Sequence, residues 1–395
     1  MKHDARPAAA APPGNSQNEI HAGEVAGRVP GQAISVEQLE EKARRRLAPG
    51  AYGYVAGGAG AEDARRANRE AFRRWRIVPR PPRHPAARDL AVEVLGTRMA
   101  APVLLAPVGV LSILHPDGGV AAGRAAASVG VPLVASTTSS RTLEAIAAAM
   151  GAAPRWFQLY WPGDRALTKS LLARARRAGY GAIVVTLDTW QPGWRPRDLQ
   201  QSHLPFRRGE GLANYFADPV FRAALARPPE QDPRAAVEHF LRVCSDATVT
   251  WDDLSFLRQN TTLPILLKGI LRPDDAAEAV GLGMDGIIVS NHGGRQVDGA
   301  IGALDALPGV VAAVDGRLPV LFDSGIRHGA DAFKALALGA RAVLLGRPYL
   351  WGLAVDGEEG VRRVLRGLLA ELDLTLALAG CTRPDQLGPG ALERI

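Results

Sequence analysis

The sequence predicts a (β/α)8 TIM barrel with a long lid-like insertion after strand four. Three observations point there. Eight short, almost wholly apolar runs recur after residue 101, and each leads toward a stretch of helical character. Uninterrupted apolar runs, as opposed to alternating ones, belong to parallel strands covered on both faces. Eight such units within 395 residues suit a closed barrel of about 250 residues with additions.

Residues 1–30, rich in Ala, Pro, Gly and polar residues without apolar periodicity, read as a disordered N-terminal tail, leaving 31–395 as one domain. Ser35-Val-Glu-Gln38 then reads as a helix start, with Ser35 at the N-cap and Gln38 three residues on. That helix runs toward Leu47, and Pro49-Gly50 is expected to stop it. The strand runs are Pro102–Pro107, Val131–Ser136, Trp156–Tyr160, Ile183–Asp188, Pro264–Lys268, Gly286–Asn291, Pro319–Asp323 and Ala342–Gly346. Between them lie helix-like stretches such as Leu167–Ala178, Asp274–Val280 and Asp331–Leu338. One connection is abnormal: residues 189–253 far exceed an ordinary βα loop. Barrel sites lie at the C-terminal ends of the strands, so an insertion there is a candidate lid.

Composition narrows the function. With 47% hydrophobic and 22% charged residues, the chain is ordinary globular protein. Its formal charge of +7 is spread over short pairs and triplets, such as Arg44 to Arg46, with no aromatic-interleaved basic stripe. Nucleic acid is therefore not an expected partner, whereas a mild positive field helps to attract a small carboxylate. Cys244 and Cys381 have neither disulfide nor metal-ligand spacing and suit a reducing, cytoplasmic setting, and no metal is expected. No signal-peptide pattern and no apolar run of about 18 residues occurs, so no membrane partner is expected.

The strands end in polar residues, and their joint occurrence at one rim predicts a site. The strand ends are Pro107-Val108-Gly109, Ser136, Gln158 with Tyr160, Thr186 with Asp188, Lys268, Ser290-Asn291-His292, Asp323 with Gly325, and Gly346-Arg347, so that polar and ionisable residues recur in all but the first. Gly325 with Arg327 after strand seven, and Gly346 with Arg347 after strand eight, read as a phosphate site of backbone N–H groups and guanidinium forks. The sharpest feature is Ser290-Asn-His-Gly-Gly-Arg-Gln296, where an ionisable His292 and Arg295 flank two glycines that admit a ligand closely.

This segment resembles the signature of the FMN-dependent L-2-hydroxy-acid oxidases and dehydrogenases. The similarity extends over nearly the whole chain after residue 35, through Tyr52-Gly-Tyr-Val-Ala-Gly-Gly-Ala59, Ala106-Pro-Val-Gly109, Trp156-Phe-Gln-Leu-Tyr160, Val185-Thr-Leu-Asp-Thr189, Leu267-Lys-Gly269, Phe322-Asp-Ser-Gly-Ile-Arg327 and Phe333-Lys-Ala-Leu-Ala-Leu-Gly339. Within that family the insertion, with Trp190 to Leu199, Leu212-Ala-Asn-Tyr-Phe216 and Thr250-Trp-Asp-Asp253, is most similar to the lactate 2-monooxygenases. Gly109, a position beside the flavin N5 in the family, is glycine as in that branch. Departures are Gly53 between the two tyrosines, Ser324 in place of a frequent glycine, Thr138 at a position bulky in some relatives, and Val-Asp-Gly after Gln296.

The resemblance implies FMN as cofactor, a small 2-hydroxy acid and O2 as substrates, and a homotetramer or homo-octamer. It carries over Arg195 and Arg295 as carboxylate binders, Tyr54 and Tyr160 as hydrogen-bond donors, and His292 as the base. Asp188 then steadies the imidazolium and Lys268 holds negative charge on the reduced ring. Pro107, Val108, Gly109, Ser136, Gln158, Thr186, Ser290, Asp323, Gly325, Arg327, Gly346 and Arg347 are carried over as flavin contacts, and Tyr215 of the insertion as a further substrate contact. Alternatives are an oxidase releasing hydrogen peroxide, a dehydrogenase with another acceptor, and a non-catalytic phosphate-binding barrel.

Overall fold

A computed structural model describes residues 13–15, 17–18, 20–21, 35–81 and 88–395. Eight strands close into a barrel: β1 (Val103–Leu105), β2 (Leu133–Ser136), β3 (Arg155–Leu159), β4 (Ile183–Thr186), β5 (Ile265–Ile270), β6 (Gly286–Val289), β7 (Val320–Phe322) and β8 (Ala342–Leu345). Every neighbouring pair is parallel and follows chain order around the ring. All eight lie within or beside the predicted runs. The helices that follow them are α1 (Gly118–Ser128), α2 (Leu143–Met150), α3 (Arg165–Arg177), α4 (Leu254–Asn260), α5 (Pro273–Gly281), α6 (Ala303–Val314), α7 (Gly329–Ala337) and α8 (Arg347–Leu378), the last kinked at Asp356-Gly357.

The apolar runs split into two layers because successive strand residues face opposite ways. Leu104, Val134, Trp156, Val184, Leu266, Ile288, Leu321 and Leu344, one from each strand, fill the barrel axis. Their neighbours, such as Leu105, Phe157, Val185 and Val289, pack under the helices. The hairpin of Val92–Val94 and Thr97–Met99 closes the lower end, placing Val94 and Met99 in the axial cluster. There the buried Trp156 indole N–H donates to Thr97 Oγ1 at 2.9 Å. With its lower half filled, the barrel has room for a ligand only above the strand ends.

Three features differ from the sequence reading. Ser35 does cap the first helix, accepting from Gln38 N at 3.1 Å, but Pro49 does more than stop it: it opens a second helix, Pro49–Ala56, from the first turn, where its missing N–H costs nothing. Most of the expected tail lies outside the described residues. Within it, Pro13–Asn15 forms a 3-10 turn whose Gly14 N–H donates to the fully buried Asp373 of α8, a carboxylate that also takes a fork from Arg88. Tyr215 does not reach the cavity. It is fully buried against Phe221 and Phe240, because the short helix Ala213–Phe216 turns its aromatic face into the insertion's own core.

The insertion is unevenly held. Asn214, fully buried, accepts from Leu143 N at 2.7 Å and donates to Ser136 O and Thr137 O. Asp218, equally buried, caps helix Pro219–Ala223 and binds Ser170 and the buried Arg174 of α3. These bonds fix residues 205–243 to the barrel. Residues 190–204 are fastened by Gln296, which donates to Gln191 O and accepts from Gly193 N and Arg195, by Gly60 N donating to Trp194 O, and by the Arg197–Glu62 ion pair. Among the described residues no helix is long and apolar enough to cross a membrane.

Removing one partner of a buried ion pair leaves the other charge stranded, at a cost of about 3–5 kcal/mol. Arg174→Ala should therefore destabilise the chain by about that amount in denaturant unfolding. A loss comparable to an exposed salt bridge, under about 1 kcal/mol, would show that the insertion is not held there.

Candidate active site

The strand ends open into a cavity of about 540 Å³ lined by residues from all eight βα connections, the N-terminal segment and the insertion. At its centre is His292. It follows β6 directly and has φ +55°, a left-handed conformation that a non-glycine residue adopts only under constraint. The constraint is visible: the His292 N–H donates to Ser290 Oγ at 3.0 Å, while its Nδ1 lies 2.8 Å from Asp188 Oδ1 and 3.1 Å from Thr189 Oγ1. Asp188 is an acceptor, so Nδ1 carries the hydrogen and the Nε2 lone pair is free. A bulge after Lys268 in β5 makes room: Gly269, at φ +106°, lies so close that a Cβ there would sit 2.7 Å from that of Asp188.

Burial pushes the His292 imidazole below its ordinary pKa, against the pull of Asp188. Burial also opposes charge on Asp188, but His292 and Lys268 beside it hold its carboxyl at about 2. At neutral pH the pair is thus a neutral ring braced by an anion. Lys268, buried, places Nζ 2.8 Å from Ser290 Oγ, 3.2 Å from Asp323 Oδ2 and 3.9 Å from Asp188 Oδ2. Burial lowers its pKa, but Asp323 and Asp188 outweigh this and raise it, so it stays charged. Tyr54 and Tyr160 face the same space. Burial raises both phenols, Tyr160 to about 12, so both keep their protons to donate.

Four guanidinium groups line the cavity: Arg195, Arg295, Arg327 and Arg347. Among the described residues none has a carboxylate within ion-pair distance; their bonds go to carbonyl oxygens and one amide. Arg295 donates to Tyr54 O at 2.5 Å and Gly57 O at 2.9 Å, with its guanidinium over the Tyr54 ring. Arg195 donates to Arg295 O at 3.0 Å and Gln296 Oε1 at 2.6 Å. Burial and then Arg195 bring Arg295 down to about 10, and burial and then Arg69 do the same to Arg327. Burial with Arg327 and Arg295 lowers Arg347 further. Part-buried cations without a counterion call for anions, and two groups of them call for two: one at the Arg195–Arg295 end beside His292, one at Arg327–Arg347 on the neighbouring βα loops.

Most residues expected at the site line this cavity: Tyr54, Pro107, Val108, Gly109, Tyr160, Thr186, Arg195, Lys268, His292, Arg295, Asp323, Gly325, Arg327, Gly346 and Arg347. Asp188 stands behind His292. Ser136, Gln158 and Ser290 lie beneath the lining: Ser136 Oγ donates to Gln158 Oε1, whose amide N–H donates to Thr186 Oγ1. Several positioning residues went unnoticed in the sequence. Asn68 and Asn291 exchange two amide hydrogen bonds of 2.8 Å, tying the helix Asp63–Arg73 to the His292 loop. Asp298 accepts the backbone N–H of Ala61 and Asp63 at that helix start. Gln296 donates to Asp188 O and Gln191 O. Ser324, at φ +80° where glycine is easier, donates to Asp323 and accepts from the N–H of Asn291 and Gly293. Asn291 and Gln296 stand in the sharpest motif, and Ser324 and Asp298 at departures from the family pattern, so their positions, though not their partners, were within reach of the sequence; Asn68 was not.

Comparison with known proteins agrees with this geometry. A family model described as FMN-dependent dehydrogenase matches residues 43–394. An FMN-dependent alpha-hydroxy acid dehydrogenase of Penicillium citrinum is 45% identical over 97% of this chain and 96% of its own. An L-lactate oxidase of Lysinibacillus sphaericus is 44% identical over 90% and 91%. The crystal structure of a mandelate oxidase superimposes with a TM-score of 0.79 at 39% identity, covering 92% of this chain and 99% of that one.

The braced dyad gives a direct expectation. In NMR of the protein with ¹⁵N-labelled histidine, the His292 ring should be neutral and Nδ1-protonated at neutral pH, gaining charge only below its ordinary range. A doubly protonated ring at pH 7 would contradict the assignment.

Proposed function

We propose that this chain, which belongs to the FMN-dependent dehydrogenase family, oxidises L-lactate with O2 and holds the keto acid for decarboxylation, giving acetate, carbon dioxide and water. At the coarser level it is an FMN-dependent 2-hydroxy-acid oxidoreductase. The observation that carries the reading is the pairing of two carboxylate-free guanidiniums, Arg195 and Arg295, with the neutral face of the His292–Asp188 dyad.

The residues present fit FMN. The uncompensated Arg327 and Arg347, with the backbone of Gly325 and Gly346, would hold its phosphate, and open space surrounds the position a Cβ would take at Gly346. Pro107, Val108 and Gly109 would pack on the ring, with Thr186, Lys268 and Asp323 along its polar atoms, while Ser136, Gln158 and Ser290 brace them from beneath. Bound FMN supplies a two-electron acceptor for the α-hydrogen of the substrate and passes the electrons to O2.

The chain's own groups do the rest. Arg195 and Arg295 take the substrate carboxylate, and Tyr54 and Tyr160 donate to its oxygens. His292 Nε2 accepts the hydroxyl proton as the α-hydrogen leaves, and Asp188 stabilises the imidazolium formed. Lys268 offsets negative charge arising nearby. Retention of the keto acid is supported by where Arg195 sits, on residues 190–204 of the insertion, so that the anion would add a further bond between this stretch and the barrel. Nor would a side chain at Gly109 be accommodated easily, since its Cβ would lie 2.7 Å from Thr138 O. A second reading, an oxidase that releases pyruvate and hydrogen peroxide, is favoured by the similarity to proteins named L-lactate oxidase.

Incubation with L-lactate in air tests the two: acetate without free peroxide supports the proposal, and pyruvate with stoichiometric peroxide replaces it with the second reading. His292→Ala should keep its yellow flavin while anaerobic reduction by substrate slows about 10²–10⁴-fold. Reduction by the wild-type enzyme should weaken in acid, because the base must be neutral, with a midpoint below the ordinary histidine value. Arg327→Leu, which removes a charged phosphate contact worth about 1.5–3 kcal/mol, should weaken FMN binding about 10- to 150-fold in a fluorescence titration. Undiminished FMN affinity would place the phosphate elsewhere.

A further inference from the structure

A second cavity, of about 410 Å³, opens beside the first between the loops that follow β3, β4 and β5. The two share Tyr160, Thr186, Thr189 and Ser245 as lining, so a single layer of side chains separates them, and two of these, Tyr160 and Thr189, belong to the centre around His292. Their walls differ in charge. The catalytic cavity carries Arg195, Arg295, Arg327, Arg347 and Lys268 against one carboxylate, Asp323. The second is lined by Trp161, Trp190 and Trp251, by aliphatic residues and by hydroxyl groups such as that of Thr250, with Asp246 and Asp275 as its carboxylates and no Lys, Arg or His.

The difference sorts ligands. An anionic hydroxy acid or keto acid is drawn to the first cavity and repelled by the carboxylates of the second, whereas a small neutral molecule meets no such barrier there and finds apolar wall at its three tryptophans. The overall reaction needs two kinds of traffic. The acid anion, once seated on Arg195 and Arg295, occupies the space beneath the insertion. O2 must then reach the centre while an anion is still there, and carbon dioxide must leave. A route through the mouth would have to pass the bound acid. We infer that the second cavity is the port for the neutral gaseous co-substrate, O2, admitting it past Tyr160, Thr189 and Ser245 while excluding the acid. The inference rests on the proposed use of O2 and adds a separate path for it.

The test separates the two half-reactions of the flavin-loaded enzyme. Ala247 lines the second cavity and not the first, at its exposed edge, so Ala247→Trp should obstruct its mouth without replacing a group assigned to binding or chemistry. Anaerobic stopped-flow reduction by L-lactate should match the wild type, which also verifies folding and flavin loading. Reoxidation of the reduced variant by O2 with pyruvate present should slow severalfold, and Ala247→Ser should restore it. Should Ala247→Trp impair reduction as well, Thr250→Leu, from the same wall, serves instead. Unchanged reoxidation in a variant that reduces normally would overturn the port. A wild-type enzyme reduced by L-lactate but inert to O2 would overturn it too, while leaving the hydroxy-acid oxidation intact. No reduction by any 2-hydroxy acid would instead remove the functional reading on which the port depends.

Discussion

The whole upper face of the barrel is organised around part-buried positive charge that no carboxylate among the described residues neutralises. Four guanidiniums line one cavity, and among the described residues their hydrogen bonds go to carbonyl oxygens and one amide, never to a carboxylate. Leaving charges without counterions in a poorly solvated space costs several kcal/mol each, and a fold tolerates it only where a ligand supplies the missing charge. Carbonyl partners solve half of the problem. They fix each guanidinium in place and satisfy some of its N–H groups, yet leave its net charge intact. Arg347 shows the device best: it bonds the carbonyls of Val55, Gly57 and Gly293, so one side chain joins the N-terminal segment to the His292 loop while remaining a cation.

Holding repelling cations together requires a rigid frame, and the frame is polar. The reciprocal Asn68–Asn291 pair, the Asp298 cap and the Ser324 hydroxyl each join segments distant in sequence across the rim. They also make the left-handed backbone at His292 affordable: its N–H is held by Ser290, and its ring by Asp188 and Thr189. The same logic explains Lys268. Between Asp188 and Asp323 it is, among the described residues, the one cation in the cavity with acidic partners, and it ties the Asp188–His292 pair to the strand ends beside it.

How much of this was legible beforehand follows from the kind of signal involved. Barrel strands announce themselves because both faces are buried, so Ile183 to Thr186 or Ile287 to Val289 leave no ambiguity of period. Strand-end polar residues were legible for the converse reason, that an apolar run has no cause to end in Asp188 or His292. What could not be read is pairing at long range. Asn68 sits in an ordinary amphipathic helix, 223 residues from Asn291, and nothing local marks it. Tyr215 erred in the other direction. An aromatic residue on an insertion over the site looks available to substrate, but Phe221 and Phe240 enclose it, and only their packing reveals that.

The insertion illustrates why length alone does not define a moving part. Asn214 and Asp218 bury polar side chains that are satisfied only in the docked arrangement, so undocking residues 205–243 would strand several donors and acceptors at once. Residues 190–204 are held differently, by part-buried or exposed bonds to Gln296, Gly60 and Glu62; their exposed Trp194 and Leu199 bury little, and Arg195 contributes a charge with no counterion among the described residues. In the proposed reaction, an anion between Arg195 and Arg295 would add a bond from this stretch to the His292 loop, so that the group recognising the carboxylate would also fasten residues 190–204 to the barrel.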